Sequence, residues 1–262
     1  MSADQYLKRI AEILETIRSR EMGKIKQAAA AMARSIALDG RVYLFGSGHS
    51  VIPVMDVFPR YGSYIGFFPL YDPRLMWANV IGPGGARELL WLERQQGYAE
   101  VFLQSYPLEP RDCMLVFSHG GLNTAPIEVA LIAKDKGLTV ISVSSMDNAR
   151  SAERTHPSGK MLPDIADVAI DNCVPPEDSL VDVGQLEKVA AGSTVAAVSV
   201  AMSLVAETAS ILAAEGGVPP TFVSPNVEGV GKDHLARVYQ AFTEFYHRRP
   251  MRADDAGGAV ED

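Results

Sequence analysis

Cys113-Met-Leu-Val-Phe117-Ser-His-Gly-Gly-Leu-Asn-Thr124 is the stretch that decides the fold class. Five apolar residues run directly into a loop of glycines and hydroxyls. A helix follows: Pro126 suits its first position, Ile127 to Lys136 continue it, and Gly137 stops it. Thr139-Val-Ile-Ser-Val143 is then a second apolar run. Upstream, Arg41-Val-Tyr-Leu-Phe45 leads into Gly46-Ser-Gly-His-Ser50 in the same way, and a short helix is expected over Val51 to Arg60. The apolar runs are continuous rather than alternating, and helices separate them. That pattern predicts a parallel sheet covered on both faces, an α/β fold.

The flanks complete the expectation. Tyr6, Ile10, Ile13, Leu14 and Ile17 share one helical face, so residues 3 to 38 read as one long helix ended by Asp39-Gly40. Tyr61 to Phe68 reads as a further strand, 69 to 86 as an extended loop, and Arg87 to Gly97 as a helix. Residues 147 to 163 read as loop, Ile165 to Ile170 as a strand, and 171 to 185 as loop again. Leu186 to Glu215 reads as one Ala-rich helix, 222 to 228 as irregular chain, and Lys232 to His247 as a last helix. The whole is expected to be a single domain over 1–249, with a helical extension over about 1–39 and a disordered tail over 250–262.

The chain has 262 residues, 47% of them hydrophobic and 21% charged, which excludes wholesale disorder. Its net charge of −8 argues against a nucleic-acid partner, since tracking a phosphate backbone needs a basic face. Cys113 and Cys173 are the only cysteines, so there is no disulfide framework; no cluster has metal-ligand spacing, and no metal or organic cofactor is expected. The N-terminus lacks an apolar signal core. The charge-free run Ala190 to Ala206 is short for a membrane span and reads as a core helix. A soluble, cytoplasmic protein without a membrane partner is the expectation.

Ligands of open parallel sheets bind beyond the carboxyl ends of the strands. Two such ends carry matched loops here, 46–50 and 118–124. Their glycines let backbone approach an anion, the following helices offer N–H groups, and the hydroxyls add donors. Together they suit one phosphate. The first loop is not a dinucleotide fingerprint, because Val51 stands where a third glycine belongs, and no Gly-Lys-Ser/Thr follows either loop.

The chain resembles the sugar isomerase (SIS) domain family. Its second-loop pattern, Ser-x-Ser-Gly-x-Thr/Asn before a helix with Glu and Ala-Lys-x-x-Gly, is matched by Ser118-His119-Gly120-Gly121-Leu122-Asn123, then Glu128 and Ala133-Lys134-Asp135-Lys136-Gly137. The resemblance spans about residues 5 to 245 and is strongest to stand-alone members similar to phosphoheptose isomerase. It implies a three-layer, flavodoxin-like fold with five parallel strands, a sugar-phosphate ligand, and a homodimer or homotetramer. Carried over by position, Ser50, Ser118, Asn123 and Thr124 would hold the phosphate, aided by Ser47, Gly48, His49 and the backbone at His119, Gly120 and Gly121. Gly120 replaces the family's second serine, so one hydroxyl is missing.

Aldose–ketose isomerisation needs a base beside the carbonyl and an acid to move protons between oxygens. Four residues are candidates. Glu187 precedes Ala190-Ala-Gly-Ser-Thr194 and resembles a glutamate before a similar segment in the isomerase domain of glucosamine-6-phosphate synthases. Asp56, near Arg60-Tyr61, resembles a glutamate of phosphoheptose isomerases; it could equally be a structural partner of Arg60. Glu93 lies among Leu89, Leu90 and Leu92 beside Arg94, and a surface charge pair is the plain alternative. His234 opens the last helix, where family members use a histidine, sometimes from a neighbouring subunit. The implied activity is phosphosugar isomerisation through an enediol. The alternatives are a non-catalytic phosphosugar sensor, and a phosphosugar lyase of the etherase type.

Overall fold

The computed structural model describes residues 1–76 and 82–249. Helices α1 (Ser2–Arg20) and α2 (Met22–Ala37) lead into β1 (Val42–Gly46), α3 (Val51–Val57) and β2 (Phe67–Pro69). Then come α4 (Gly82–Leu92), α5 (Tyr98–Leu103), β3 (Cys113–Phe117), α6 (Thr124–Asp135) and β4 (Thr139–Ser144). The chain continues through α7 (Met146–Ser151), α8 (Leu162–Ile165), β5 (Val168–Asp171), β6 (Ser179–Val181) and β7 (Val189–Ala191). It closes with α9 (Ser193–Glu215) and α10 (His234–His247).

Strands β1 to β5 form one parallel sheet in the order β2-β1-β3-β4-β5, the flavodoxin-like order. The chain winds one way from β1 to β2 and the other way from β3 onward. The switch point therefore falls between β1 and β3, where helices leave for opposite faces and open a crevice. Register makes the strand ends level: Gly46 pairs with Phe117, Phe117 with Val143, and Val143 with Ile170. Ser47, Ser118, Ser144 and Asp171 thus emerge as one row.

Two apolar layers sandwich the sheet. One joins Ile13, Ile25, Met32, Leu44, Leu115, Ile141 and Leu204, from α1, α2, α9 and one sheet face. The other joins Phe45, Val116, Ile127, Ala130 and Val140, from α6 and the opposite face. Each fully buried aliphatic side chain contributes about 1.5–3 kcal/mol. Alternate residues of β3 feed opposite layers, which is why the run Cys113–Phe117 is apolar throughout.

Four expectations are corrected. The leading helix is broken at Glu21, whose buried carboxylate accepts the Asp171 N–H (3.0 Å) at the end of β5 and pairs with Lys24. Gly23 follows the break by two residues, and the contact with β5 holds it in place. The helix expected from Leu186 begins at Ser193; Val189–Ala191 is a strand paired antiparallel with β6. Asp178 sets that start, its carboxylate accepting the N–H groups of Gly192 (3.0 Å) and Ser193 (2.7 Å) and the Ser193 hydroxyl (2.8 Å). The segment 171–185 therefore holds a strand rather than loop alone. The polar segment 147–163 contains most of α7, capped by the Ser145 hydroxyl, and the start of α8.

Smaller shifts also occur. Ile165 ends α8 rather than opening β5, Pro126 is the third residue of α6, and the helix expected from Arg87 starts at Gly82. The tail 250–262, and residues 77–81 of the expected loop 69–86, lie outside the described residues. Among the described residues one helix, α9, is long and apolar enough to cross a membrane; here it lies against α1, α2 and α3.

Candidate functional site

The two matched loops meet at the switch point. In the first, Gly46 is obligatory: a Cβ there would stand 2.1 Å from the Ser50 carbonyl oxygen, because the chain doubles back into a short 3-10 turn over Gly48–Ser50. Gly48 takes a positive φ of 59° within that turn, a conformation that costs an L-residue about 1 kcal/mol or more. In the second, Gly121 has φ 65°, and its N–H donates to the Ser118 hydroxyl oxygen at 3.2 Å. Both loops deliver helix starts. Ser50 precedes α3 and Asn123 precedes α6, and neither side chain caps its own helix.

A small cleft between the loops is lined by His49, Ser50, Ser118, His119, Asn172, Ser193 and Thr194, with Phe117, Val143 and Ala197 as its apolar floor. The structure thus brings Ser50, Ser118, His49 and His119 together. Gly120 lies beside them, its carbonyl held by the Asn148 side chain at 2.6 Å. A Cβ at Gly120 would meet nothing closer than 3.5 Å, so a serine would fit there.

Ser47 points away from the cleft, donating its hydroxyl to Glu93 Oε2 at 2.7 Å. Glu93 is 5% exposed at the end of α4. Its backbone carbonyl accepts the Ala125 N–H in the first turn of α6 at 2.9 Å. Glu93 therefore ties the first loop to the second. Burial raises its carboxyl above the usual glutamate range, opposed by the Ser47 hydroxyl and by the charge of Arg94.

The other three candidates lie elsewhere. Asp56 pairs with Arg60 at 2.5 Å, the structural arrangement weighed above. His234 Nε2 is 2.9 Å from the Thr221 carbonyl, which ties α10 to the segment bridging Tyr64 and Thr221. Glu187 is exposed in the β6–β7 connection rather than at a helix start.

Sequence reasoning missed Asn172, the residue after β5. Its Oδ1 accepts the Val174 N–H at 3.0 Å and its Nδ2 lies 3.1 Å from His119 Nδ1. The signal available was its place at a strand end in a polar segment. It also missed Ser144, whose buried hydroxyl lacks a hydrogen-bond partner among the described residues and lies beside Gly121. Such an atom costs about 1–3 kcal/mol unless water or ligand meets it. Among the described residues no group of three or more His, Cys, Asp or Glu side chains could hold a metal ion.

Two glycine loops level across a 2-1-3-4-5 sheet are what a family comparison has to explain. The SIS domain model matches residues 5–145. The chain belongs to the SIS domain family. Within that family its curated relatives are UPF0309 proteins. One from Listeria monocytogenes is 34% identical over 236 residues, covering 90% of this chain and 94% of the relative. Another from Halalkalibacterium halodurans is 35% identical over 256 residues, covering 97% and 98%. Among solved SIS structures, a phosphoheptose isomerase from Francisella tularensis superposes with a TM-score of 0.52 at 15% identity, covering 79% of this chain and 95% of that one. That likeness is one of fold.

Proposed function

We propose that this SIS protein isomerises a sugar phosphate. The observation that carries the reading is the buried Glu93 carboxylate, hydrogen-bonded to one anion-suited loop and tied by its backbone to the other. In this reading the phosphate rests against Ser50, Ser118, Asn123 and Thr124, with N–H groups from 46–50 and 118–124. Glu93 lies outside the cleft lining, so in this reading the sugar runs past Ser47 to reach it, and substrate replaces Ser47 as its partner. Glu93 takes the proton from the carbon beside the carbonyl. The C–H electron pair becomes the new C=C bond, and the carbonyl π pair becomes an oxyanion, which takes a proton from water to give the enediol; the hydroxide so formed removes the other hydroxyl proton in the next step. Loss of the other hydroxyl proton re-forms a carbonyl at the neighbouring carbon, and Glu93 returns its proton to the first. A carboxylate made more basic by burial suits both transfers. No redox change and no organic cofactor are required. The ligand class agrees with the phosphoheptose isomerase that shares the fold.

One observation favours a second reading. Glu93 is largely closed off by Ser47, and Gly120 lacks the family hydroxyl, as a binding protein without turnover would tolerate. The deciding experiment incubates the protein with pentose, hexose, heptose and N-acetylhexosamine phosphates in heavy water and follows the C1 and C2 protons by NMR. Deuterium uptake with a new isomer supports the isomerase. Line-broadening without exchange supports the sensor, and release of lactate would replace both with a lyase.

A further inference from the structure

We propose that His119 is a further catalytic residue of this site, offering the Nε2–H of a neutral imidazole to the reacting carbonyl oxygen, and that Asn172 is the positioning residue that fixes this tautomer. The proposal rests on the isomerase reading above. The hydrogen bonds leave one assignment. The Val174 N–H can only donate, so the Asn172 atom 3.0 Å from it is the carbonyl Oδ1. The other amide atom is then Nδ2, a donor, 3.1 Å from His119 Nδ1. Nδ1 is therefore the bare acceptor nitrogen, and the neutral ring carries its proton on Nε2. That N–H faces the Pro176 carbonyl at 3.4 Å, near the weak limit of a hydrogen bond. A substrate oxygen at ordinary distance would take it over.

The parts are held firmly. Asn172 is 2% exposed, its N–H donates to the Ser144 carbonyl at 2.9 Å, and the His119 carbonyl accepts the Ser145 N–H at 2.9 Å. The ring itself lines the cleft beside Ser118 and Ser50. Charged neighbours on the surrounding elements are otherwise engaged. Asp171 accepts N–H groups of Met146 and Cys173, and Asp178 those of Gly192 and Ser193. Glu177 pairs with Lys188 and Asp147 with Arg150. His49 is the other titratable residue of the cleft wall. As the C–H pair moves into the C=C bond, the carbonyl π pair collects on oxygen. The Nε2–H bond strengthens with that charge, and the ring keeps its proton.

Asn172→Asp is the sharp test. It is isosteric and retains an acceptor for Val174, but it replaces the donor facing Nδ1 by an acceptor. The proton of the neutral ring then moves to Nδ1, leaving Nε2 bare. In histidine-labelled protein, 15N NMR should show Nε2–H in the parent and Nδ1–H in the variant. Exchange of the sugar C–H proton at pH 8 should fall about 10²-fold with KM little changed. It should recover toward acid pH, where the imidazolium again offers Nε2–H. His119→Gln, which keeps an N–H donor, should retain more activity than His119→Leu. A parent ring protonated on Nδ1 would overturn the assignment. A variant with parental rate and pH profile would overturn the catalytic role. If the parent neither binds nor turns over any sugar phosphate, the isomerase reading and the catalytic role fall together, while the spectrum still decides the Asn172–His119 pair.

Discussion

The two ends of the central sheet are built from similar residue types and treated oppositely. At the amino end, Asp112, just before β3, is fully used. Its carboxylate accepts the N–H groups of Arg41 (2.8 Å) and Glu109 (2.8 Å) and the Arg249 guanidinium (2.9 and 2.8 Å). Arg249 also reaches the Asp39 carbonyl (2.8 Å), and Arg41 the carbonyls of Phe245 (3.1 Å) and Tyr246 (3.2 Å). This knot fastens α10 and the chain beyond it under the sheet. At the carboxyl end, Ser50 and Asn123 leave their helices uncapped by side chains, and the buried Ser144 hydroxyl lacks a partner among the described residues. A polar group satisfied by its own chain holds the fold. In the reading proposed above, one left unsatisfied beyond the carboxyl ends of the strands is open to a ligand.

The contrast can be broken from the amino end. Asp112→Ala removes the close partner of the buried Arg249 guanidinium, leaving it Glu109 at 3.3 Å, and the acceptor of two N–H groups; urea unfolding should show a loss of about 3–5 kcal/mol. Ligand affinity measured well below the unfolding midpoint should be unchanged; a change there would mean that the two ends are coupled. Ser50→Ala reverses the pattern. Its expected cost is about 1.5–3 kcal/mol in sugar-phosphate binding by calorimetry, with stability within about 0.5 kcal/mol of the parent.

Glu93 tests the boundary between the two kinds of residue. Its folded-state pKa lies above the unfolded value, so between those values the folded state binds more protons. Stability therefore falls as pH rises through that window, and remains lowered above it. Glu93→Gln keeps an acceptor for Ser47 and removes the buried charge. It should be more stable than the parent at pH 7–8 by about 0.5–2 kcal/mol, with the gap closing below about pH 4.3, while isomerisation is lost. Thermal unfolding across pH and the deuterium-exchange assay read the two effects separately. Gly120→Ser supplies the missing hydroxyl in space that accepts it. It should tighten sugar-phosphate binding about tenfold, or ~1.4 kcal/mol. The smallest effect is expected at Ser142, whose buried hydroxyl lacks a partner among the described residues. Ser142→Ala should raise stability by about 1 kcal/mol in urea and leave binding untouched.

Much of this was legible in the chain. The apolar runs at 41–45, 113–117 and 139–143 found three strands, because buried parallel strands need no polar alternation. The glycine loops marked the carboxyl end of β1 and β3, because only glycine tolerates the approach seen at Gly46. The break at Glu21 was missed although Gly23 follows it, since a lone glycine is tolerated within a helical pattern and the Glu21 carboxylate is held by a backbone N–H 150 residues away. The start of α9 was misjudged for the same reason: Asp178 caps it from across a hairpin. Asn172 was signalled only by its place at a strand end in a polar segment; its amide meets His119 because β5 ends level with β4, and β4 with β3.

The sequence by itself determined the α/β class and the two loops, because backbone periodicity and glycine sterics are local properties, and the motif over 118–137 carried the resemblance to the family. Tertiary structure alone decided which charges are spent and which are available. Asp112 is committed to Arg249, while Glu93 is tied to both loops. The physical reason is that a side chain's desolvation and partners are set by whatever the fold brings against it, and those atoms come from distant parts of the chain.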